Sequence, residues 1–343
     1  MTVPKVIMGR KVIKKLLVVL FICIFMMWAG SEKAYKQIEV TNRVCSVSWE
    51  DNRSFITDKR DVTIYFVTPS YPRPEQVPEL TRLSHTLMHV PGIHWILADD
   101  TAECSEIVRG ILSRAGLPYT HISSPKPFVY GPNYRNPPRG VANRLAALDW
   151  IRSNVKEGVL YFGDDDNTLD LRLFDEIRRT KKVSMFPVGL IGTFGVSSPV
   201  IVQGKVVGFF DGWIGNRNFA VDMAGFAVNI NLIGPADMPY ETGQQENKFL
   251  RSLGVRLNDI EPLADNCTQV LVWHTRAVKN TQHVLKVDEK TMRHQRSARN
   301  LLRLLKTVSD QHMVKINATQ GLTPYVSRYG KAINAFSFHG NVG

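Results

Sequence analysis

Short, almost continuous apolar runs recur along the first half of the chain and constrain its fold more than any other feature. The runs are Val62–Val67, Ile93–Ala98 and Val159–Phe162. Amphipathic stretches separate them, near residues 75–90, 104–115 and 141–153. A run without polar alternation indicates a strand buried on both faces, and strands that alternate with helices favour a parallel sheet. The sequence therefore predicts an α/β layer fold with a mainly parallel sheet.

The carboxyl ends of these three predicted strands carry polar side chains. They are Thr68–Tyr71, the pair Asp99–Asp100 and the run Asp164–Asp166. In open α/β sheets, ligands bind beyond the carboxyl ends of the strands, so we expect a site at this edge. Further strands are predicted in the second half, at Val183–Val188, Val206–Phe210, Ala224–Ile230 and Val270–Trp273.

The charge distribution argues against a nucleic-acid-binding protein. The 343 residues have a net charge of +12, but residues 1–15 contribute five Lys/Arg without an acid, and residues 277–343 contribute eleven against three. The remaining residues hold 27 bases and 28 acids, so no basic face is predicted on the folded body. Residues 277–343 are predicted to be a basic C-terminal extension, solvated or partly disordered, with one amphipathic stretch at Met292–Leu305.

The N-terminus has the pattern of a membrane-targeting segment. Five basic residues in 1–15 precede an apolar run over 16–30, which places residues 1–15 in the cytoplasm. The run is shorter than the ~20 residues of a typical span, so a signal anchor and a cleaved signal peptide both remain open. The bulky residues Met26–Trp28 favour the anchor over cleavage. Residues 31–60 show no periodicity and are predicted to be a stem, and the body is placed in the secretory lumen.

Glycosylation motifs and cysteines agree with a lumenal body. Sequons begin at three asparagines, Asn52, Asn266 and Asn317. Three cysteines lie beyond the apolar run, at positions 45, 104 and 267. An odd number leaves at least one thiol free or paired with another chain. Cys45 is the candidate for an intermolecular bridge, and an unpaired thiol is the alternative.

The run Asp164–Asp166 follows the third predicted strand directly. Three adjacent carboxylates repel one another, so either a hard divalent cation or solvent should neutralise them, and both remain open on this run alone. Arg139 and Arg144 open the preceding helix, and Trp273–Arg276 ends a later strand. The planar guanidinium of arginine can bind two oxygens of a diphosphate at once. The acidic run together with these arginines and the aromatic strand end therefore indicates a nucleotide-diphosphate site.

An ordered series of motifs from about residue 61 to 276 resembles the β-1,3-glucuronosyltransferases of glycosyltransferase family 43. The motifs include Thr68–Tyr71, Pro138–Val141, Tyr161–Asn167, Val221–Val228 and Val272–Arg276. The resemblance implies a GT-A glycosyltransferase fold at 61–276, with a UDP-sugar-binding half at 61–167 and an acceptor-binding half at 168–276. It also implies a type II Golgi membrane enzyme, a homodimer, UDP-glucuronate as donor, manganese (Mn²⁺) as cofactor and a galactose-terminated glycan as acceptor.

The resemblance also implies roles for individual residues. Tyr71 would stack on the uracil ring, and Asp100 would form a hydrogen bond with the edge of the uracil. Arg139 and Arg144 would lie along the nucleotide-sugar. The remaining donor and metal residues would be Asp164 and Asp165 on the sugar and ribose hydroxyls, Asp166 on manganese, and His274 and Arg276 on the diphosphate and glucuronate. Trp213 and Asp222 would shape the acceptor pocket, and Glu246 would be the general base of an inverting displacement.

Three positions depart from the family pattern. Ser197 stands where a glutamate commonly helps to bind the acceptor sugar, Thr242 stands where arginine is usual, and Ala277 replaces a threonine. The first change concerns acceptor identity and the second concerns the donor. Two alternatives are therefore kept: the same fold with another UDP-sugar or acceptor, and a catalytically weak lectin-like protein.

Overall fold

The computed structural model describes residues 41–56, 62–127, 138–234, 236–275, 283–310 and 314–335. Asn42–Gly343 forms one compact unit. The predicted cytoplasmic tail and the apolar run at 16–30 lie outside the described residues. Within the described ranges, no helix is both long and apolar enough to cross a membrane.

Strands and helices alternate over the first half of the described chain, as the apolar runs predict. The strands are β1 Arg43–Ser48, β2 Ile64–Ser70, β3 Ile93–Asp99, β4 Tyr119–Ser123, β5 Val159–Phe162, β6 Thr168–Leu169, β7 Val183–Met185, β8 Val188–Gly189, β9 Val196–Val202, β10 Lys205–Phe210, β11 Phe226–Asn229, β12 Ile260–Pro262, β13 Val272–Trp273, β14 His283–Lys286, β15 Val314–Asn317, β16 Tyr325–Arg328 and β17 Lys331–Asn334. The α-helices with regular geometry are α1 Gln76–Leu87, α2 Glu106–Ala115, α3 Val141–Asn154, α4 Arg172–Ile177, α5 Gln245–Ser252, α6 Glu289–His294 and α7 Arg299–Asp310.

The first sheet has the order β1-β4-β3-β2-β5-β11-β7-β12. Its central pairs β4-β3, β3-β2 and β2-β5 are parallel, which confirms the predicted mainly parallel sheet in this half. Strands β1 and β11 pair antiparallel with β4 and β5. Parallel pairing matters for the site because it brings the carboxyl ends of β2, β3 and β5 to one edge.

Hydrophobic cores cover both faces of this sheet. Tyr65 and Val67 of β2 face a core that contains α3, whereas Ile64 and Phe66 face a core that contains α1 and α2. Successive side chains of a strand point to opposite faces, so a strand between two helix layers must be apolar at every position. The three-layer arrangement is therefore the direct outcome of the continuous apolar runs.

A second sheet, β17-β16-β10-β9-β8-β13-β6, contains most of the strands of the second half. The predicted strand Val183–Val188 is divided between the two sheets, because β7 pairs with β11 in the first sheet and β8 pairs with β9 in the second. The predicted strand Ala224–Ile230 is shortened to β11, which follows a 3₁₀ turn at Met223–Gly225.

The prediction of a stem over residues 31–60 is wrong for the part that contains Arg43–Ser48. Strand β1 pairs with β4, and Cys45 forms a disulfide with Cys104 within the chain. Both readings of Cys45 are therefore corrected: it is neither free nor available for a bridge to another chain. Because β1 is an exposed edge strand held by its disulfide, it lacks the apolar alternation that would reveal it. Cys267 is the free, buried cysteine among the described residues.

The prediction that residues 277–343 form a solvated or partly disordered extension is also wrong for the described part. Helix α7 buries Leu301, Leu305 and other apolar side chains in a third core, together with residues of β9 and β10. The hairpin β16-β17 extends the second sheet at β10. The amphipathic stretch at Met292–Leu305 already indicated a packed helix, because the apolar face of such a helix is normally buried against the rest of the protein.

Candidate active site

The carboxyl edge of the first sheet gathers the polar residues that end its strands. Ser70 of β2 lies opposite Asp99 of β3 in the parallel ladder, and the aspartates 164–166 follow β5. Gln76 of α1 donates hydrogen bonds to Ser70 Oγ and to Asp99 Oδ1, each at 3.0 Å. A single side chain thus connects two strand ends, and sequence analysis did not identify it.

Asp165 is the most fully satisfied carboxylate at this edge. It accepts two hydrogen bonds from the Arg73 guanidinium, both at 2.7 Å, and a third from Ser70 Oγ at 2.8 Å. The side chains of Asp165 and Arg73 are only 7% and 13% exposed. Such a bidentate pair holds both groups in one geometry. Arg73 was missed in the sequence, although it stands two residues beyond Tyr71.

Asp164 forms its ion pair with Arg144 of α3. The helix begins after Gly140, whose backbone has a φ of +70°. A Cβ at this glycine would approach Arg144 Nη1 to 2.6 Å, so a larger residue would displace the guanidinium. The Pro138–Val141 motif therefore has a local purpose: the glycine allows Arg144 to fold back towards Asp164.

Asp166 differs from its two neighbours because, among the described residues, its carboxylate has no ion pair within 4 Å. Its backbone is held instead, since Arg82 and Thr275 both donate to the Asp166 carbonyl oxygen. Burial and the adjacent Asp164 raise the pKa of Asp166 to about 6, against an opposing effect of His274. An oriented carboxylate that is short of positive charge is suited to bind a cation.

Tyr71 and Asp100 lie at the same edge. The Tyr71 ring is 39% exposed, and the guanidinium of Arg73 stacks over it at 4.6 Å from the ring centroid. The guanidinium of Arg139 lies 5.9 Å from the same centroid. Asp100 Oδ1 accepts a 2.6 Å hydrogen bond from the Lys126 amide. The partly open aromatic face is suited to stack on a base.

His274 and Asp222 form an ion pair on the other side of the aspartate run. His274 Nδ1 lies 3.4 Å from Asp222 Oδ2, and Asp222 also caps the turn at Met223–Gly225 by accepting from the Ala224 amide at 3.0 Å. The Asp222 carboxylate raises the pKa of His274 to about 9. Burial acts to raise the pKa of Asp222, but His274 outweighs it and the pKa is lowered. Arg276 lies outside the described residues.

Glu246 stands in the first turn of α5 without an ion pair among the described residues. Burial raises its pKa to about 7, and the charge of Asp222 adds to this effect, whereas Arg217 and Arg144 oppose it. Glu246 is therefore close enough to Asp222 and Arg144 for their charges to act on it. Arg144 is also the ion-pair partner of Asp164, so Glu246 and the aspartate run share a charged neighbour.

The loop after β10 carries the exposed aromatic residue of the predicted acceptor pocket. Trp213 is 49% exposed, and Arg217 stacks on its indole at 4.4 Å from the centroid. Beneath it, Asp211 Oδ1 accepts from Arg217 Nη2 at 3.0 Å and from the Trp213 amide at 2.8 Å. Ser197 on β9 is buried next to Asp211. The Asp211–Arg217 pair was missed because it depends on how the loop after β10 folds back on itself, which no sequence pattern reveals.

The three sequon asparagines, Asn52, Asn266 and Asn317, are exposed. Asn266 lies in a left-handed turn, Ala264–Cys267, in which every residue has a positive φ. Accessibility is the structural requirement for modification of a sequon in a secreted protein.

Comparison with known proteins identifies relatives over most of the chain. The model of Glycosyltransferase family 43 matches residues 83–278. Galactosylgalactosylxylosylprotein 3-beta-glucuronosyltransferase S of Drosophila melanogaster is 46% identical over 307 residues, which are 87% of this chain and 74% of the relative. Galactosylgalactosylxylosylprotein 3-beta-glucuronosyltransferase 2 of Homo sapiens is 46% identical over 230 residues, 63% of this chain and 70% of the relative.

Solved structures show a more distant likeness. The crystal structure of S. aureus TarS 1-349 superposes with a TM-score of 0.40 at 15% identity, over 62% of this chain and 60% of that one, which is too distant to support a conclusion. The family model covers more than half of the chain and contains the aspartate run, Glu246 and His274. The chain therefore belongs to glycosyltransferase family 43.

Proposed function

We propose that the protein transfers glucuronate from UDP-glucuronate to the 3-OH of a terminal β-galactose, with inversion at the anomeric carbon. The observation that carries this proposal is Glu246, a carboxyl without an ion pair among the described residues, whose pKa of about 7 reflects its burial and the charges of Asp222, Arg217 and Arg144. Relatives that are 46% identical are named as 3-beta-glucuronosyltransferases acting on galactosylgalactosylxylosyl protein. The acceptor can thus be a proteoglycan linkage region, or the terminal galactose of an N-glycan or glycolipid.

The donor would lie along the carboxyl edge of a GT-A fold. Tyr71 offers an exposed ring face to uracil, and Asp100 would accept from the uracil edge. The oxygens of Asp164 and Asp165 each bind an arginine already, yet a carboxylate has further lone pairs that can accept from sugar and ribose hydroxyls. Arg139, Arg144, His274 and Arg276 supply positive charge for the diphosphate and the glucuronate carboxylate.

The donor set at Asp166 fits a manganese ion held jointly with a bound diphosphate. In the described part of the chain, no group of three or more His, Cys, Asp or Glu side chains could enclose a metal alone. A cation held by one carboxylate and substrate phosphates is an established arrangement for hard divalent ions. When bound, Mn²⁺ would neutralise the charge that develops on the leaving diphosphate.

Glu246 would act as the general base on the acceptor hydroxyl. A base is most effective when its pKa lies near the working pH, and the value of about 7 meets this condition. Removal of the 3-OH proton by Glu246 increases the nucleophilicity of that oxygen as it attacks the anomeric carbon. Trp213 would stack on the acceptor sugar, while Asp222 and Ser197 would shape the pocket beside it.

The family membership and the basic N-terminus before an apolar run support a location and an assembly for the protein. We propose a single-pass type II protein of the Golgi membrane, anchored through residues 16–30, with its body in the lumen and a homodimeric assembly. The intrachain Cys45–Cys104 disulfide supports an oxidising compartment. With this disulfide in place, the proposed homodimer does not depend on Cys45.

The experiment that tests the function is a transfer assay with the full-length chain, Mn²⁺, a panel of UDP-sugars and a panel of galactose-terminated acceptors. The expected result is transfer from UDP-glucuronate that is lost in Glu246→Gln but retained in the exposed control Glu241→Gln. Transfer from another UDP-sugar alone would overturn the donor assignment. Binding of galactosides without any transfer would favour a lectin-like protein.

A further inference from the structure

A cavity of about 610 Å³ lies where the C-terminal hairpin meets the body. Its polar lining residues are three arginines, two asparagines and a tyrosine, namely Arg251, Arg256, Arg328, Asn218, Asn258 and Tyr329. No acidic residue contributes to the lining. The family match ends at residue 278, so the hairpin side of this cavity comes from outside the matched segment.

The three arginines are not neutralised by the described residues. None of them has an ion pair within 4 Å in this part of the structure. The charge of Arg256 contributes to lowering the pKa of Asp259, but the ion pair of Asp259 is with Lys182, at 2.9 Å. The Nε of Arg328 is buried and has no hydrogen-bond partner among the described residues. Clustered guanidinium groups without counter-charges indicate a site for an anion.

The hairpin tip presents an aromatic ring beside this charge. Tyr329 has a φ of +51° and is 62% exposed, and Gly330 follows with a φ of +75°. A two-residue hairpin turn needs a positive φ at both central residues, and this turn projects the Tyr329 ring from the tip of β16-β17. The Arg328 guanidinium lies 5.4 Å from the centroid of the Tyr329 ring. An exposed ring next to a guanidinium can stack on a sugar and bind a charged substituent of it.

The walls of the cavity contact the loop and the helix that carry the proposed acceptor-side residues Trp213 and Glu246. A Cβ at Gly330 would lie 3.2 Å from Asn216, so the hairpin tip packs closely on the loop that carries Trp213. On the other wall, the amides of Asn218 and Phe219 donate to Asn247 Oδ1 at 2.8 and 3.2 Å. Asn247 directly follows Glu246. A ligand in the cavity would therefore contact the same loop and helix that form the acceptor side.

We propose that this cavity binds a sugar that bears a sulfate or phosphate monoester. The sugar ring would lie against Tyr329, and the ester oxygens would accept hydrogen bonds from Arg251, Arg256 and Arg328. The cavity exceeds the volume of a free anion and combines an aromatic ring with cations, which favours a glycan-borne ester. The proposal concerns binding alone and does not depend on the transferase function.

The test is calorimetric titration of the full-length protein with glucose 6-sulfate, glucose 6-phosphate and glucose, each in the presence of saturating UDP. We expect at least one ester to bind about 10-fold or more tightly than glucose, and the stronger of the two identifies the ester. Arg251→Gln and Arg328→Gln should each weaken binding of that ester about 10-fold, and Tyr329→Ala should weaken it as well. Arg251 is exposed, so its variant tests the site even if Arg328→Gln fails to fold.

Lys331→Gln is the matched control, because Lys331 is exposed on the same hairpin but does not line the cavity. Its affinity for the ester should equal that of the wild type. Equal affinities for the three sugars, or equal losses in Lys331→Gln and Arg328→Gln, would overturn the proposal. Because no donor sugar takes part, an inactive transferase would still bind the ester, so failure of one proposal is distinguishable from failure of the other.

Discussion

The proposed donor edge, with the run Asp164–Asp166, and the proposed acceptor side, with Glu246 and the Trp213 loop, differ in which of their carboxylates are held by arginine. At the donor edge, Asp165 pairs with Arg73 and Asp164 pairs with Arg144. On the acceptor side, Glu246 has no ion pair in the described structure, and Trp213 projects to solvent above the buried Asp211–Arg217 pair. Two of the three adjacent aspartates at the donor edge are thus held before a substrate arrives, whereas Asp166 and the proposed base Glu246 have no ion pair among the described residues.

The largest effect should come from Asp166, the donor-edge carboxylate without an ion pair. Asp166→Ala should reduce transfer to background at every manganese concentration, because the leaving diphosphate loses its counter-charge. The measurement is initial rate against metal concentration for the variant and the wild type. Full wild-type activity after chelation of divalent metal would show that Asp166 does not hold a required cation.

Glu246→Gln tests the acceptor side directly. We expect kcat to fall by ~10²–10⁴-fold, the range for loss of a general base, with the affinity for UDP-glucuronate unchanged. Glu241→Gln, which removes an exposed partner of Lys248, should retain normal kcat. Near-normal turnover in Glu246→Gln would move the base elsewhere, with Asp222 as the next candidate.

Asp165→Asn tests whether the donor edge is held by its pairing. The amide cannot neutralise the nearly buried Arg73, so the free energy of unfolding should fall by about 3–5 kcal/mol. Asp170→Asn removes the exposed pair with Arg172 and should cost less than about 1 kcal/mol. The measurement is denaturant unfolding of both variants. Similar losses of unfolding free energy in the two variants would mean that burial of the Asp165–Arg73 pair does not increase its contribution to stability.

Ser197→Glu tests the acceptor side at a position that departs from the family. A glutamate accepts charge-assisted hydrogen bonds from sugar hydroxyls, which are worth about 1.5–3 kcal/mol, or one to two decades in selectivity. We expect sharper preference for one galactoside and an unchanged KM for UDP-glucuronate, together with a lower Tm, because the new carboxylate lies beside the buried Asp211. The measurement is acceptor kcat/KM over a panel of β-galactosides. Identical ratios for both proteins would show that position 197 does not face the acceptor.

The last prediction concerns the pH dependence of stability on the acceptor side. The pKa of Glu246 is raised from 4.5 to about 7, so its favourable contribution is complete below pH 4.5 and is lost as the pH rises through 7. Glu246→Gln should therefore unfold at a higher temperature than the wild type at pH 8, with no difference at pH 4. A lower Tm for the variant at pH 8 would contradict the desolvated state of Glu246.

The first sheet was predictable because its strands are buried on both faces. The predicted run Val159–Phe162 is β5 to the residue, and β3 extends the predicted run by one residue. Strand β1 could not be predicted in this way, since none of its residues is buried and it joins the sheet through the β4 ladder and the Cys45–Cys104 disulfide. An edge strand needs neither continuous nor alternating apolar residues.

The sequence predicted which residue types form the site, but it did not predict which of these residues contact one another. The aspartates at strand ends indicated a charged edge, yet their partners Arg73 and Gln76 became visible only when α1 packed on the sheet. The sequence by itself determined the buried strands, the acidic edge and the family. The tertiary structure decided which aspartates pair with arginine among the described residues, and it brought the hairpin β16-β17 against the Trp213 loop. The physical reason is that burial is encoded in local composition, whereas an ion pair between distant residues depends on how separate elements pack.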